Sequence, residues 1–203
     1  MQRVKFKSMA SHNIYRGGEL PEMEASHLEY WLAGNGLFVR AEREEFDLLW
    51  AISDEQVKGL PPLEEVFRNR MPVVPDNILY GIVKTAQLYA NSGLEVLLYL
   101  FLRGGRWELE RPDQEQSAGS CRPTDPAAGQ DAVIEVHSHH DLACGARFSE
   151  TDDEDETGFR IYGVLGHVST APEILVRVGV YGHFFEVAAD TFFEMPAGLR
   201  CAL

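Results

Sequence analysis

The chain alternates short apolar runs with one longer amphipathic stretch, residues 78–90. Apolar residues recur there at spacings of three and four, which predicts a helix with one buried face. Asp76 or Asn77 can cap the N-terminus of this helix, and the sequence Asn91-Ser92-Gly93 ends it. Two further short helices are predicted, over residues 24–33 and 63–70.

Short apolar runs bounded by turn residues predict strands for most of the remaining chain. Gly104 and Gly105 join two of these runs into a hairpin. Residues 111–130 are polar and rich in Pro, Gly and Ser, which indicates a surface loop beside the following strand. Many strands with few helices favour an α/β or α+β fold around a mixed sheet. The predicted strands cover residues 37–43, 46–52, 94–102, 107–110, 133–136, 159–165, 174–181 and 184–187.

The stretch from Val133 to Glu156 concentrates the residues that can carry chemistry. Its apolar start predicts a buried strand that runs directly into the sequence His-Ser-His-His, beginning at His137. Side chains alternate between the two faces of a strand, so His137 and His139 point the same way and His140 points away from them. Two imidazoles on one face at the end of a strand form half of a metal site.

A carboxylate that follows this strand can complete the site. Asp152 begins a run of acidic residues that by itself predicts a solvated face at the start of a helix, where carboxylates suit the helix dipole. If the chain turns back after the histidines, Asp152 becomes the third ligand, with Asp153 as the alternative. Three protein ligands and one open position are typical of catalytic zinc, whereas structural zinc is usually closed by four ligands.

Glu95 and Ser149 are the candidates for proton transfer and for stabilising a transition state. Glu95 lies in an apolar run with no other charge before Arg103, and it is either a strand residue at a solvent edge or a carboxylate with a partner and a task. In the second interpretation it acts as a general base. Ser149 can cap a helix over residues 150–156, donate to the oxyanion of a tetrahedral intermediate, or do both.

The pattern of His137, His139, Ser149 and Asp152 resembles the JAMM motif of the JAB/MPN metalloproteases. That family also uses a glutamate on an earlier strand, which is the place of Glu95 here. The segments HSHH, FSETDDEDE, GFRIYGVLG and VRVGVYGHFFEV are similar to those of bacterial JAB-type proteins of the PRTRC system. The loop between His139 and Ser149 is longer than is common in the family.

The resemblance implies a JAB/MPN fold, a mixed β-sheet of cytidine-deaminase-like architecture flanked by helices. It implies a Zn²⁺ ion held by His137, His139 and Asp152, with Glu95 and Ser149 as catalytic residues. The expected reaction is hydrolysis of a peptide or isopeptide bond. The expected substrate is a protein or peptide such as a ubiquitin-like tail, and the expected partners are ThiF-type E1-like and ParB-related proteins.

Composition narrows the class of protein further. A chain of 203 residues is long enough for one domain with a sizeable core. We expect this core over residues 76–203, with an N-terminal elaboration of strands and loops packed on it over residues 1–75. A net charge of −14 disfavours nucleic acid as a partner, because an acidic surface repels phosphate. No apolar run approaches the ~18 residues of a membrane span, and no secretory signal is evident. Cys121, Cys144 and Cys201 lack the spacing of a disulfide framework or a zinc site, so a cytoplasmic location is expected.

Two other functions compete with hydrolysis. A non-catalytic MPN-type scaffold that binds a partner is the main alternative, although a scaffold does not need the complete set of candidate residues. A zinc deaminase on the related fold is disfavoured, because the sequence has no His-x-Glu together with Pro-Cys-x-x-Cys.

Overall fold

The computed structural model describes residues 8–139 and 145–203, so His140 and Cys144 lie outside the described residues. The chain divides into two compact units, of which the first ends at Met71 and the second spans Pro72–Leu203. Each unit has its own β-sheet, and helices are few. The fold therefore belongs to the α+β class with mixed sheets, as the sequence predicts. Neither helix in the described ranges has the length and apolar character that crossing a membrane requires.

The first unit is a single five-stranded sheet. Its strands are β1 (Ala10–Ile14), β2 (Leu28–Ala33), β3 (Gly36–Glu42), β4 (Phe46–Ala51) and β5 (Val66–Asn69), in that spatial order. The β1–β2 pair is parallel, and the other neighbours are antiparallel. The strands predicted over 37–43 and 46–52 are thus confirmed as β3 and β4.

Both helices predicted in the first unit are wrong. Within 24–33, the residues of β2 lie between β1 and β3, and Leu28, Trp31 and Ala33 are buried. Within 63–70, β5 pairs with β4. Helix propensity is a weak prior that tertiary context routinely overrides, and here pairing with a neighbouring strand decides the structure.

The second unit is built on a seven-stranded mixed sheet. The strands of this unit are β6 (Leu97–Arg103), β7 (Arg106–Glu110), β8 (Gln114–Gln116), β9 (Cys121–Pro123), β10 (Ile134–Ser138), β11 (Phe159–Gly166), β12 (Glu173–Val180), β13 (His183–Val187) and β14 (Arg200–Cys201). The main sheet has the order β13-β12-β11-β10-β6-β7, with β14 beside β12, while β8 and β9 form a separate hairpin. β10 and β11 are parallel, and both are largely buried, as continuous apolar runs predict.

Two α-helices accompany this sheet. α1 (Asp76–Ala90) is the predicted amphipathic helix, and its buried residues are Leu79, Ile82, Val83 and Ala86. The predicted cap is wrong, because the helix already begins at Asp76 and Pro75 occupies the cap position without a side-chain bond. α2 (Glu150–Asp155) is short and follows Ser149. A 3-10 turn, Ala189–Thr191, lies after β13.

The segment 111–130, predicted as a surface loop, contains the β8–β9 hairpin. The side chain of Gln114 brackets Leu97: its Oε1 accepts from the N–H of Leu97 at 2.8 Å, and its Nε2 donates to the carbonyl of Leu97 at 3.1 Å. Gln116 Nε2 donates to the carbonyl of Glu95 at 2.6 Å. Side chains of the hairpin therefore bond the backbone at the first residue of β6 and just before it, and β6 begins at Leu97 instead of residue 94.

Candidate metal centre

The central strand β10 leads into the candidate metal centre. His137 lies in β10 and is buried, and His139 follows just after the strand ends. The N–H of His139 donates to the carbonyl of Leu165 at 2.8 Å, which continues the pairing with β11. The ring centroids of His137 and His139 are 5.2 Å apart. The two imidazoles are therefore neighbours, as alternation along a strand predicts.

Ser149 and Asp152 form a capping box at the start of α2, in which each side chain bonds the backbone of the other residue. The N–H of Ser149 donates to Asp152 Oδ2 at 2.6 Å, and the N–H of Asp152 donates to Ser149 Oγ at 3.3 Å. Ser149 Oγ also donates to Asp152 Oδ2 at 2.8 Å. Ser149 is thus the helix cap that the sequence predicts, and it fixes the carboxylate of Asp152.

The carboxylate of Asp152 faces both imidazoles. Its Oδ1 lies 3.3 Å from His137 Nε2, and its Oδ2 lies 3.9 Å from His139 Nε2. One ligand atom from each of the three residues lies within 4.8 Å of the others. This arrangement has the composition of a three-ligand metal site.

One nitrogen of this cluster is unsatisfied. His137 Nε2 is buried and has no hydrogen-bond partner among the described residues, because its contact with Asp152 lacks hydrogen-bond geometry. A buried polar atom without a partner destabilises a protein unless an ion or water satisfies it. Two imidazoles and a carboxylate fit Zn²⁺, and a cation among them would satisfy this nitrogen.

The electrostatics of the cluster also suit a cation. Burial lowers the pKa of His137 to about 4; the carboxylate of Asp152 opposes this shift, and His139 and Arg177 reinforce it. His137 is therefore neutral near pH 7, which is the form of imidazole that binds metals. Burial alone would raise the pKa of Asp152, but His137 and the hydrogen bonds from Ser149 hold it below its usual value.

Glu95 lies just before β6 and beside the histidines. In the antiparallel register, Leu97 is opposite His137, and continuing that register places Glu95 opposite His139. Glu95 is 5% exposed. Burial, and then the carboxylate of Asp152, raise its pKa to about 7. A carboxyl group with this pKa can take up and release a proton near neutral pH, as general acid–base catalysis requires.

Two cavities with shared walls surround these side chains. The smaller, of about 50 Å³, is lined by all five residues that the sequence analysis selected: Glu95, His137, His139, Ser149 and Asp152. The tip of the β8–β9 hairpin lines it as well, through Gly119, Ser120 and Cys121. A cavity of about 430 Å³ shares part of this wall and continues past Tyr99 and Arg160. The residues that line both cavities are Leu97, Cys121, Glu135 and Asp155.

Two buried charges behind the cluster were missed by the sequence analysis. Glu156 Oε1 lies 3.7 Å from His137 Nδ1. Arg177, in β12, donates through Nε to Glu156 Oε2 at 2.9 Å and through Nη1 to Asp153 Oδ1 at 2.5 Å. Asp153, the alternative ligand, is therefore bonded to Arg177. The available signal was a single arginine in the apolar strand EILVRVGV, because a buried charge needs a partner.

Comparison with known proteins adds no assignment. No protein-family model matches the chain, and no curated protein sequence matches it. Among solved structures, it is similar to the solution structure of a protein from Salinibacter ruber (strain DSM 13855), a target of the Northeast Structural Genomics Consortium. The two are 21% identical, the match covers 62% of this chain and 92% of that chain, and the TM-score is 0.36. Evidence for function therefore comes from the site.

Proposed function

We propose that this protein is a zinc-dependent metallohydrolase that cleaves a peptide or isopeptide bond, and that its second unit has a JAB/MPN-type fold. The observation that supports this most strongly is the cluster of His137, His139 and Asp152, with Glu95 lining the same cavity. A metal site alone is compatible with a structural role. A buried carboxyl group with a pKa of about 7 beside it favours catalysis.

His137, His139 and Asp152 would hold the ion. When bound, zinc supplies a Lewis acid that polarises the scissile carbonyl and lowers the pKa of a water molecule to about 7. The ligand set leaves room for such chemistry because it has three members, whereas closed structural sites have four.

Glu95 would move the proton. Its carboxylate would accept a proton from the attacking water and then donate it to the leaving amine, as a general base and acid in the same cavity can do. Ser149 Oγ donates to Asp152 in this structure. Its hydroxyl can therefore stabilise an oxyanion only after rotating away from Asp152, since a hydroxyl has a single proton to donate.

The larger cavity would hold the substrate on one side of the scissile bond. Its charged lining residues pair with one another: Arg160 Nη1 lies 2.9 Å from Glu135 Oε2, and Arg122 Nε lies 2.9 Å from Asp155 Oδ2. Paired charges leave the wall near neutral, which suits a peptide better than a phosphate-bearing ligand. A ubiquitin-like tail as substrate and ThiF-type E1-like and ParB-related partners are suggested by the family resemblance, and a cytoplasmic location is suggested by the cysteine pattern; all belong to the same proposal.

The test measures zinc content and cleavage in the same preparations of wild type, Glu95→Gln and His137→Ala. We expect about one zinc per chain in wild type and in Glu95→Gln, and none in His137→Ala, because of the two replaced residues only His137 is a proposed ligand. Cleavage of peptide and ubiquitin-like fusion libraries, followed by mass spectrometry, should fall about 10²–10⁴-fold in Glu95→Gln. A wild type that takes up no zinc, or a Glu95→Gln protein that cleaves at the wild-type rate, contradicts the proposal.

A non-catalytic MPN-type scaffold is the second candidate, and one observation favours it. The cavity at the candidate ligands holds only about 50 Å³, and the hairpin tip forms part of its wall. A scaffold would bind its partner equally well as wild type, Glu95→Gln and His137→Ala. A wild type that holds zinc and binds a partner, but cleaves no member of the libraries, would support the scaffold.

A further inference from the structure

We propose that Glu156 and Arg177 are positioning residues of the candidate metal centre: Glu156 orients the ring of His137, and Arg177 fixes Glu156 and anchors α2, which carries Asp152. This inference rests on the proposed metal site. It concerns residues outside the ligand set and outside the two candidate catalytic residues.

α2 needs an anchor. The helix has six residues, and none of them is buried. A helix this short is unstable by itself in water, because nucleation is costly and few hydrogen bonds follow it. A buried apolar face, the usual source of helix stability in proteins, is lacking in Glu150–Asp155. The position of Asp152 therefore depends on polar contacts between α2 and the rest of the second unit.

Arg177 supplies such contacts at both ends of α2. Arg177 is 4% exposed, and its guanidinium stacks on two aromatic rings, at 3.9 Å from the centroid of Phe148 and 3.7 Å from that of Phe184. Phe148 directly precedes the cap residue Ser149, so this cation–π contact holds the start of the helix. Glu156 follows the last residue of α2, and Arg177 Nε donates to its Oε2 at 2.9 Å. The bond to Asp153 lies between these two contacts.

Glu156 connects this anchor to the metal centre. It is 3% exposed, and its two oxygens face different groups: Oε2 faces Arg177, while Oε1 lies 3.7 Å from His137 Nδ1. The other nitrogen of that ring, Nε2, faces Asp152 at 3.3 Å. Histidines that bind metals commonly donate their second N–H to a carboxylate, which fixes the tautomer and the ring orientation. Glu156 Oε1 faces Nδ1 and would do this for His137 once the 3.7 Å separation closes to hydrogen-bond distance.

Stability alone explains this pair poorly. A buried ion pair is often no more stabilising than apolar residues of the same size, because both charges lose their hydration. Glu156 Oε2 takes both contacts from Arg177, with Nε at 2.9 Å and Nη2 at 2.7 Å, whereas Glu156 Oε1 has no hydrogen-bond partner among the described residues, so the oxygen that faces His137 is unsatisfied. The pair of Glu156 and Arg177 lies directly behind His137, which is the location that a positioning role requires.

The test compares Glu156→Gln and Arg177→Lys with the same two changes in the first unit, Glu29→Gln and Arg40→Lys. Glu29 is equally buried and pairs with Arg40, which makes this pair a matched control. Zinc affinity is measured by competition with a chromophoric chelator. We expect Glu156→Gln and Arg177→Lys to weaken zinc binding about 10–100-fold, since a lysine keeps the charge but loses the planar fork. The control variants should bind zinc as tightly as wild type.

A second readout distinguishes this inference from the proposed function. The ring-nitrogen chemical shifts of ¹⁵N-labelled His137 are measured in metal-free protein, where we expect Glu156→Gln to change the Nδ1 shift and the control variants to leave it unchanged. A wild type that binds no zinc refutes the metal site, and an unchanged Nδ1 shift in Glu156→Gln then refutes the inference as well. A wild type that binds zinc, with equal affinity in Glu156→Gln, refutes the inference alone. If Arg177→Lys does not fold, Asp153→Asn tests the same anchor, and unchanged zinc affinity in that variant overturns the role of Arg177.

Discussion

The two units differ in how completely their buried ionisable side chains are hydrogen-bonded. In the first unit, both oxygens of Glu29 have partners: Oε1 accepts from the N–H of Glu24 at 2.9 Å, and Oε2 accepts from Trp31 Nε1 at 3.0 Å and from Arg40 Nη1 at 3.4 Å. Asp47 is held by Arg68 and Arg70, at 3.1 and 2.5 Å. These acids are fully paired by their own unit.

In the second unit, some buried polar side-chain atoms have no hydrogen-bond partner among the described residues. Among the described residues, four buried side-chain atoms have no hydrogen-bond partner, and all four belong to this unit. Two of them, in His137 and Glu156, lie in the candidate metal centre or directly behind it, whereas Arg177 Nη2 lies 2.7 Å from Glu156 Oε2 in an ion pair. Folded proteins satisfy nearly all buried polar groups, and exceptions concentrate where a ligand or a reaction is expected. The contrast therefore separates acids that are paired within their own unit from buried groups at the candidate metal centre, where polar atoms of His137 and Glu156 have no hydrogen-bond partner among the described residues.

The largest expected effect is on zinc affinity, when a proposed ligand is replaced. We expect Asp152→Asn to weaken zinc binding by more than about 100-fold, because an amide is a poor zinc ligand and the loss should exceed the 10–100-fold typical of residues behind the ligands. Asp153→Asn should weaken zinc binding by less than about 10-fold, the lower end for residues directly behind the ligands, since Asp153 acts only through Arg177. Asp47→Asn, in the first unit, should cost nothing. Isothermal titration of metal-free protein with zinc measures all three.

Equal and small effects of Asp152→Asn and Asp153→Asn would contradict the ligand assignment. The acidic run would then be a solvated face of α2, and the third ligand would lie elsewhere. A large effect of Asp153→Asn alone would mean that binding of zinc rearranges α2 relative to Arg177.

Local patterns were sufficient where a single element decides the outcome. The 3.6-residue period predicts α1, the alternation of side chains brings His137 and His139 together, and Ser149 is recognisable as a helix cap. The failures lie where distant pairing decides. The ranges 24–33 and 63–70 contain the strands β2 and β5 because neighbouring strands pair with them, and the loop at 111–130 contains a hairpin bonded to β6 through a glutamine side chain.

The same reasoning explains what the sequence could predict of the site. Glu95, Asp152 and the histidines could be selected because each stands out in its own segment. Glu156 could not, and Arg177 stands out only as a single charge in an apolar strand, because their roles arise from a contact between residues 21 positions apart. An acid in an acidic run and an arginine in a strand carry no local sign that they will meet behind a histidine.

A smaller effect is expected from pH in the metal-free protein. Burial raises the pKa of Glu95 from 4.5 to about 7, so the folded state holds this proton more tightly than the unfolded chain. The stabilisation of the folded state by this bound proton is complete below pH 4.5 and is lost as the pH rises through about 7. The amide of Glu95→Gln does not ionise, so the variant does not lose stability in this way as the pH rises. We expect the variant to be more stable than wild type by on the order of 1–2 kcal/mol at pH about 8.5, after allowing for solvent at the cavity, and to match it at pH about 4.

Denaturant unfolding at the two pH values measures this difference. Glu29→Gln provides the comparison across units: it removes an acid whose oxygens are all hydrogen-bonded, and we expect it to destabilise the protein. A Glu95→Gln variant that is less stable than wild type at the higher pH would show that Glu95, too, is paired for the sake of the fold.

The smallest effect concerns access to the site. Arg122 of β9 and Asp155 of α2 form an ion pair at 2.9 Å, and both side chains are about half exposed. Exposed pairs contribute about 0–1 kcal/mol, so Arg122→Ala should raise the population of an open hairpin by only about twofold to fivefold. Cys121 lines both cavities and reports on this opening. Its alkylation by a neutral thiol reagent, separated from that of the exposed Cys201 by peptide mass, should accelerate by the same factor.

The matched change in the first unit, Arg68→Ala, should leave the rate at Cys121 unchanged. High salt should bring wild type to the rate of Arg122→Ala, because it screens a surface pair. A rate at Cys121 that is indifferent to both Arg122→Ala and salt would mean that this pair does not hold the hairpin closed.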